Sequence, residues 1–244
     1  MNRKLPPWLT RRVSSPAIVA EVERMVRQAH LHTVCESARC PNLGECWSRR
    51  TATFMILGNT CTRNCKFCAV AVGKPEPPDP EEPIRLARTA AAMGLRHVVV
   101  TSVTRDDLPD QGAGQFAATI TALREQVPDA SVEVLTPDFQ GRVDLIRKVV
   151  EVKPEVFNHN VETVRRLSPL VRPQARYERS LLVLRTAKEL APDVLTKSGI
   201  MVGLGETPEE VRETLADLRA AKVDAVTIGQ YLRPTSEHIP VAEF

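Results

Sequence analysis

All six cysteines of the chain, Cys35, Cys40, Cys46, Cys61, Cys65 and Cys68, fall in one short stretch of the amino-terminal third. Disulfides belong mainly to small secreted chains and staple distant parts of a fold, whereas clustered thiols bind metal or do redox chemistry. Cys61, Cys65 and Cys68 form C-x3-C-x2-C. Three thiolates at this spacing can bind three irons of a [4Fe–4S] cube and leave the fourth iron without a protein ligand, open to chelation by a small molecule. Four-cysteine sites are closed and suit electron transfer or structure. The competing assignment is a zinc knuckle or half a zinc ribbon, although zinc asks for four tetrahedral ligands. Cys35, Cys40 and Cys46 form a second triad, C-x4-C-x5-C, for which the competing assignment is a structural zinc site completed by His30 or His32.

These cysteines need elements to position them. Residues 16–30 read as a short helix, with Ile18, Val19, Val22 and Met25 on one face. The stretch 1–50 as a whole is expected to be an extension wrapped on a main domain, 51–244. From there, apolar β-rich runs at 53–57, 97–102, 131–135, 156–159, 195–202 and 225–231 alternate with helical patterns. The helical patterns lie at 81–93, 115–126, 143–152, 161–167, 177–190 and 208–222. Thr207, Pro208 and Glu210 give a helix-start signal. Alternating strands and helices imply βαβ units, right-handed crossovers and a parallel sheet. Six units are too few for a closed eight-unit barrel, so the expectation is an α/β fold, a partial (βα)6 parallel barrel. Ligands of such folds bind at the carboxyl ends of the strands, where the first-strand loop carries Cys61, Cys65 and Cys68. The proline- and acid-rich segment 75–83 reads as an exposed loop.

Composition narrows the classes further. The 244 residues are 43% hydrophobic and 26% charged, an ordinary globular balance that argues against disorder. A net charge of +3 with scattered basic residues gives no footprint for nucleic acid. No apolar run is long enough to span a bilayer, and Met1 to Arg12 has no apolar core of a secretory signal, so no membrane partner is expected. The basic, acid-poor start has only a loose likeness to a mitochondrial transit peptide. Reduced thiols place the expected compartment in the cytoplasm, or in the mitochondrial matrix if the source is eukaryotic.

The C-x3-C-x2-C loop, with Phe67 before its last cysteine, resembles the signature of the radical S-adenosylmethionine (SAM) superfamily. The stretch Gly199-Ile-Met-Val-Gly203-Leu-Gly205-Glu206 resembles a superfamily motif flanking the adenine, although a tight strand-to-helix turn would read the same. The second triad and its surroundings resemble the auxiliary-cluster motif of the lipoyl synthase family. That likeness continues through Thr51-Ala-Thr-Phe-Met-Ile-Leu-Gly58, Val99 to Pro109, Val132 to Gly141, Val171-Arg-Pro173, Tyr177 to Ser180, Thr196 to Gly199 and Ile228 to Leu232, nearly the whole chain in register.

The resemblance implies a transferase that uses two [4Fe–4S] clusters and SAM. SAM would chelate the open iron of the Cys61, Cys65, Cys68 cluster, whose electron cleaves the sulfonium to a 5′-deoxyadenosyl radical. Phe67, Asn160, Glu162, Gly203 and Gly205 would bind the cofactor, Asn160 and Glu162 through the ribose hydroxyls; helix capping by Asn160 is the alternative. Sulfur would be inserted at C6 and C8 of an octanoyl chain on a lysine of a lipoyl carrier domain, such as a glycine cleavage H protein or a 2-oxoacid dehydrogenase E2 component. The cluster on Cys35, Cys40 and Cys46 would donate it, and a flavodoxin or ferredoxin would supply electrons. In the family a serine of an Arg-Ser-Ser-Tyr stretch caps that auxiliary cluster. This sequence lacks the stretch, its only Ser-Ser pair being Ser14-Ser15, and the expectation is a fragment without the C-terminal helix and tail; an open or exogenous ligand is the alternative. A different radical sulfur inserter and a non-enzymatic zinc module are the competing functions. Arg105, Asp106, Asp107, Arg172, Arg176, Lys197 and Ser198 are further polar candidates without an assigned role, and His97 is expected to be structural.

Overall fold

The computed structural model describes Pro6 and residues 16–38, 40, 42–49 and 51–244. The basic start, 1–12, lies outside these apart from Pro6, and Ser14-Ser15 lies outside them altogether. The elements run α1 (Pro16–Gln28), β1 (His32–Thr33), α2 (Val34–Ser37), α3 (Leu43–Ser48), β2 (Thr53–Ile56), β3 (Thr60–Cys61), β4 (Ala71–Val72), α4 (Glu82–Ala92), β5 (His97–Ser102) and α5 (Ala113–Gln126). They continue with β6 (Ser131–Leu135), α6 (Val143–Val150), β7 (Val156–Asn158), α7 (Ser168–Val171), α8 (Tyr177–Leu190), β8 (Leu195–Val202), α9 (Pro208–Ala220) and β9 (Ala225–Gln230).

Strands β2, β5, β6, β7, β8 and β9 pair in parallel in that order, and the short β1 adds antiparallel to the outer side of β2. The sheet is open, as a six-unit partial barrel requires. Val98, Val100, Val132 and Val134 alternate toward the helices and are fully or almost fully buried. The opposite face of β6 and its neighbours carries a polar cluster around Glu133. Glu133 accepts from Lys197 Nζ at 2.8 Å and Asn158 Nδ2 at 3.1 Å, and His97 Nε2 lies 3.4 Å away. A buried carboxylate is tolerated there because it is paired and hydrogen-bonded. Lys197 is therefore paired with the buried Glu133, and the exposed His97 lies at the edge of the same cluster.

One expected helix is absent. Residues 161–167 form no helix; Glu162 instead bridges in parallel to Ile200 and adopts φ 65°, a left-handed conformation that interrupts a helix. The helical turn begins only at Ser168, where Pro169 occupies the first turn that proline tolerates. The start of α9 follows its sequence signal: Thr207 Oγ1 accepts from Glu210 N at 3.3 Å, and Thr207 N donates to Glu210 Oε2 at 2.8 Å.

The amino-terminal extension shares the main core. Val22 and Val26 of α1, Cys35 of α2 and Trp47 of α3 belong to the same buried cluster as Phe54, Ile56, Leu86 and Phe116. Arg85 Nε of α4 also donates to Ala29 O at 3.0 Å. Because Trp47 is only 1% exposed, Trp47→Ala is expected to cost about 3–5 kcal/mol. Denaturant unfolding should show this loss in one transition common to extension and barrel. A separate early transition of the extension would contradict the shared core.

Candidate functional site

The cysteine loop leaves β2 through a tight turn. Leu57 (φ 69°) and Gly58 (φ 87°) are both left-handed, and the buried Glu82 carboxylate of α4 accepts Leu57 N at 2.9 Å. The loop is then stapled on several sides. β3 pairs with β4, Thr62 N and Oγ1 donate to Thr104 O at 3.1 and 2.9 Å, and Lys66 N donates to Val171 O at 2.9 Å. Between the first two thiols, Arg63 is buried. Its Nε and Nη2 bind both oxygens of Asp106 at 2.7 and 2.8 Å, and Nη2 reaches Asp138 Oδ1 at 2.8 Å. Arg179 Nη1 holds the other Asp138 oxygen at 3.1 Å. The Arg63 guanidinium holds the Asp138 carboxyl well below the usual carboxylate range despite its burial.

The thiols of Cys61, Cys65 and Cys68 are free and line a cavity of about 370 Å³ at the carboxyl ends of the strands. Cys61 Sγ accepts from Thr104 N at 3.3 Å and Arg63 N at 3.4 Å. Burial pushes the Cys65 thiol up to about 12 and raises Cys68 as well, so metal binding must displace protons there. The second triad lies in the extension. Burial is the largest influence raising Cys35, which sits against the Trp47 indole and feels the charges of Cys40 and Cys46. Cys40 N donates to Cys35 O at 3.0 Å, and Thr51 N to Cys46 O at 2.9 Å. Val34 and Ala38, flanking Cys35, form part of the wall of the same cavity. Among the described residues no three His, Cys, Asp or Glu side chains converge on one ion position. A cubane makes a different demand, one thiolate on each of three irons.

The far wall comes from the end of β7. Asn160 and Glu162 line the cavity. Burial raises the Glu162 carboxyl, opposed by Arg172 and a hydrogen bond from Asn160. Asn160 Oδ1 is buried without a partner, an acceptor aimed at no protein group. A Cβ on Gly199 would meet that oxygen at 2.8 Å, so the glycine on β8 is what lets Asn160 sit there. Arg172 is 3% exposed; its Nη1 donates to Asn160 O at 2.7 Å and its Nη2 to Ser180 Oγ at 2.8 Å. Asn160 is not a helix cap, because no helix follows it.

His159 completes this wall. Its Nδ1 lies 2.8 Å from Thr136 O and must carry the proton, which leaves Nε2 to accept from Ser180 Oγ at 3.0 Å. Burial and the nearby Arg172 lower its pKa to about 4.

The expected cofactor residues therefore divide. Phe67, Asn160 and Glu162 reach the cavity, whereas Gly203 and Gly205 lie off its wall, in a turn whose amides at Gly203 and Leu204 are held by Glu206 at 2.5 and 2.9 Å. Arg172 lines the cavity; Asp106 and Asp107 are engaged by Arg63 and Arg105 respectively. Sequence reasoning gave no role to Arg63, Asp138 or His159. Arg63 sits inside the cysteine motif and Asp138 within the family-like stretch Val132 to Gly141, but a buried ion pair between distant loops has no spacing signal.

Comparison with known proteins decides the lineage. The family model described as the radical SAM superfamily matches residues 55–218. A lipoyl synthase of Rubrobacter xylanophilus is 61% identical over 98% of this chain and 74% of its own length. Those of Caldanaerobacter subterraneus and Thermus thermophilus are 59% and 54% identical, each over the whole chain and over 85% and 76% of their lengths. This chain belongs to the lipoyl synthase family. Lipoyl synthases are radical SAM enzymes, so membership implies SAM and a [4Fe–4S] cluster. The solved structures agree at the level of fold. Methylornithine synthase (PylB) superposes with a TM-score of 0.60 at 17% identity, covering 78% of this chain and 55% of that one. SuiB of Streptococcus suis bound to S-adenosylmethionine gives 0.62 at 13%, covering 92% and 53%. No helix among the described residues is long and apolar enough to cross a membrane.

His159 yields a pH prediction for the iron-free chain. Its folded pKa of about 4 lies below the ordinary 6.5, so the unfolded state takes up the proton first as pH falls. The stability tied to a neutral His159 is complete above pH 6.5 and is lost toward pH 4. His159→Asn, which keeps a donor for Thr136 O, should flatten the dependence of unfolding free energy on pH across that window by about 3 kcal/mol. Equal slopes for both chains in denaturant titrations would contradict the assignment.

Proposed function

We propose that this chain inserts two sulfur atoms, at C6 and C8, into an octanoyl group held on a lysine of a lipoyl carrier domain. The observation that carries the reading is a shared cavity: one cysteine triad lines it, and residues flanking Cys35 of the other form part of its wall. Cys61, Cys65 and Cys68 would hold the SAM-binding cluster, and Cys35, Cys40 and Cys46 the auxiliary one. The donor set fits such groups: the thiols are free, and three of them face an open space. The chemistry supplied by the bound groups is hydrogen-atom abstraction from unactivated carbons, out of reach of a side-chain base, together with donation of sulfide.

The chain's own residues bind, orient and exclude. The unpartnered Asn160 Oδ1 offers an acceptor to a hydroxyl of the cofactor's ribose, with Glu162 beside it. Arg172 and Ser180 lock the backbone and the His159 ring behind that acceptor. Val34, Met55, Val103 and Leu135 line the cavity with groups matched to an aliphatic chain. Such a wall keeps water from the reacting carbons, which is the protein's share when a cofactor carries the reactivity. The carrier would be of the glycine cleavage H protein or 2-oxoacid dehydrogenase E2 type, the electron donor a flavodoxin or ferredoxin, and the compartment the cytoplasm.

Incubation of the anaerobically reconstituted chain with SAM, reductant and an octanoyl-lysyl peptide should yield the lipoyl-lysyl mass. Cys40→Ser should still release 5′-deoxyadenosine but leave no sulfur in the peptide, while Cys65→Ser should abolish both. SAM cleavage with an unaltered peptide from the wild-type chain would mean another substrate, and sulfur transfer by Cys40→Ser would remove the auxiliary triad from the mechanism.

A further inference from the structure

After β9 the chain crosses the carboxyl ends of the strands without regular structure. Along this segment Ile239 N donates to Lys66 O at 3.2 Å, and Ala242 N donates to Gly203 O at 2.8 Å. It thereby links the cysteine loop to the turn after β8. Ile239 and Val241 pack with Phe67 of the cysteine loop against a buried cluster containing Leu167, Leu204 and Tyr231. Tyr231 Oη fixes Ile239 O at 2.8 Å, and Arg233 Nε fixes His238 O at 2.8 Å.

The His238 side chain reaches a cysteine of the loop: its Nε2 lies 2.9 Å from Cys68 O, 170 positions earlier in the chain. A carbonyl only accepts, so Nε2 carries the proton. The free Nδ1 then accepts from Thr235 Oγ1 at 2.8 Å, and that hydroxyl in turn accepts Glu237 N at 3.2 Å. The imidazole is thus satisfied at both nitrogens in one tautomer. On the other side of the same residue, Cys68 N donates to Cys65 O at 3.2 Å. Both peptide groups of Cys68 are therefore fixed, one within the loop and one by the returning segment. With the backbone held, the Cα–Cβ bond that carries the thiol is held too.

We propose that His238, set by Thr235, is a positioning residue for the third thiol of the cluster loop. Through it the segment 235–242 presets the loop for the cluster and for SAM. The inference rests on Cys61, Cys65 and Cys68 being the cluster ligands and concerns the geometry of that site, not the identity of the substrate.

The test compares the full reconstituted chain with His238→Phe, which keeps an aromatic ring but lacks the donor, and with His238→Gln, which restores a donor. Three quantities are read: iron per chain, the SAM concentration that half-converts the reduced-cluster electron paramagnetic resonance signal, and the thermal midpoint of the iron-free chain. His238→Phe should raise the half-conversion concentration about tenfold, the effect of one lost hydrogen bond, and should change the signal's line shape. His238→Gln should return both toward wild type. If His238→Phe does not fold, Thr235→Val carries the test, with a smaller shift in the same direction. A lower thermal midpoint with wild-type iron, signal and SAM response would overturn the proposal, since a purely structural contact behaves that way. A wild-type chain that binds no iron would instead sink the ligand assignment, and the inference with it.

Discussion

Three cysteine thiols must be held facing a cavity before any cluster exists to organise them, and the buried ion cluster at Arg63 meets that constraint. Arg63 lies between Cys61 and Cys65, and its partners Asp106 and Asp138 come from the loops after β5 and β6. One side chain therefore ties the cysteine loop to two neighbouring strand ends. Burying such charges contributes little net stability, because desolvation offsets the attraction, yet breaking them costs about 3–5 kcal/mol. The arrangement is a device for register more than for stability. It fixes which way the loop turns, and Arg179 fixes Asp138 from the opposite side.

The same logic extends around the cavity. Arg172 fixes Asn160 through its carbonyl, Ser180 joins Arg172 to His159, and Gly199 leaves room for the Asn160 side chain. Arg172, Ser180 and His159 hold one another on this wall, while the acceptor at Asn160 is left open. The apolar wall opposite is partly built by the extension, whose helices bury Val22, Val26 and Trp47 in the barrel's own core. Extension and barrel are thus one packed body among the described residues, and Val34 and Ala38 beside Cys35 come to border the cavity that the first triad lines.

Much of this was legible from sequence. Strands β5, β6 and β8 and helix α8 begin and end where the apolar runs and helical spacing placed them, because parallel strands buried on both faces read as continuous β-branched runs. The cysteine spacing placed the first triad on the loop after β2. The failures have physical causes. The stretch 161–167 gave a helical pattern, but the left-handed Glu162 and the bridge to Ile200 belong to tertiary structure. Gly203 and Gly205 sit in a turn beside the C-terminal segment, and their expected part in cofactor binding stays a proposal. Arg63, Asp138 and His159 matter through partners tens of residues away, and no local pattern records those.

The central claim is that both cysteine triads carry [4Fe–4S] clusters. Its most direct test is iron, acid-labile sulfide and zinc per chain after anaerobic reconstitution. The account predicts about eight irons and about eight sulfides, with negligible zinc. About four irons would contradict the auxiliary cluster, and zinc with little iron would contradict the claim for both sites.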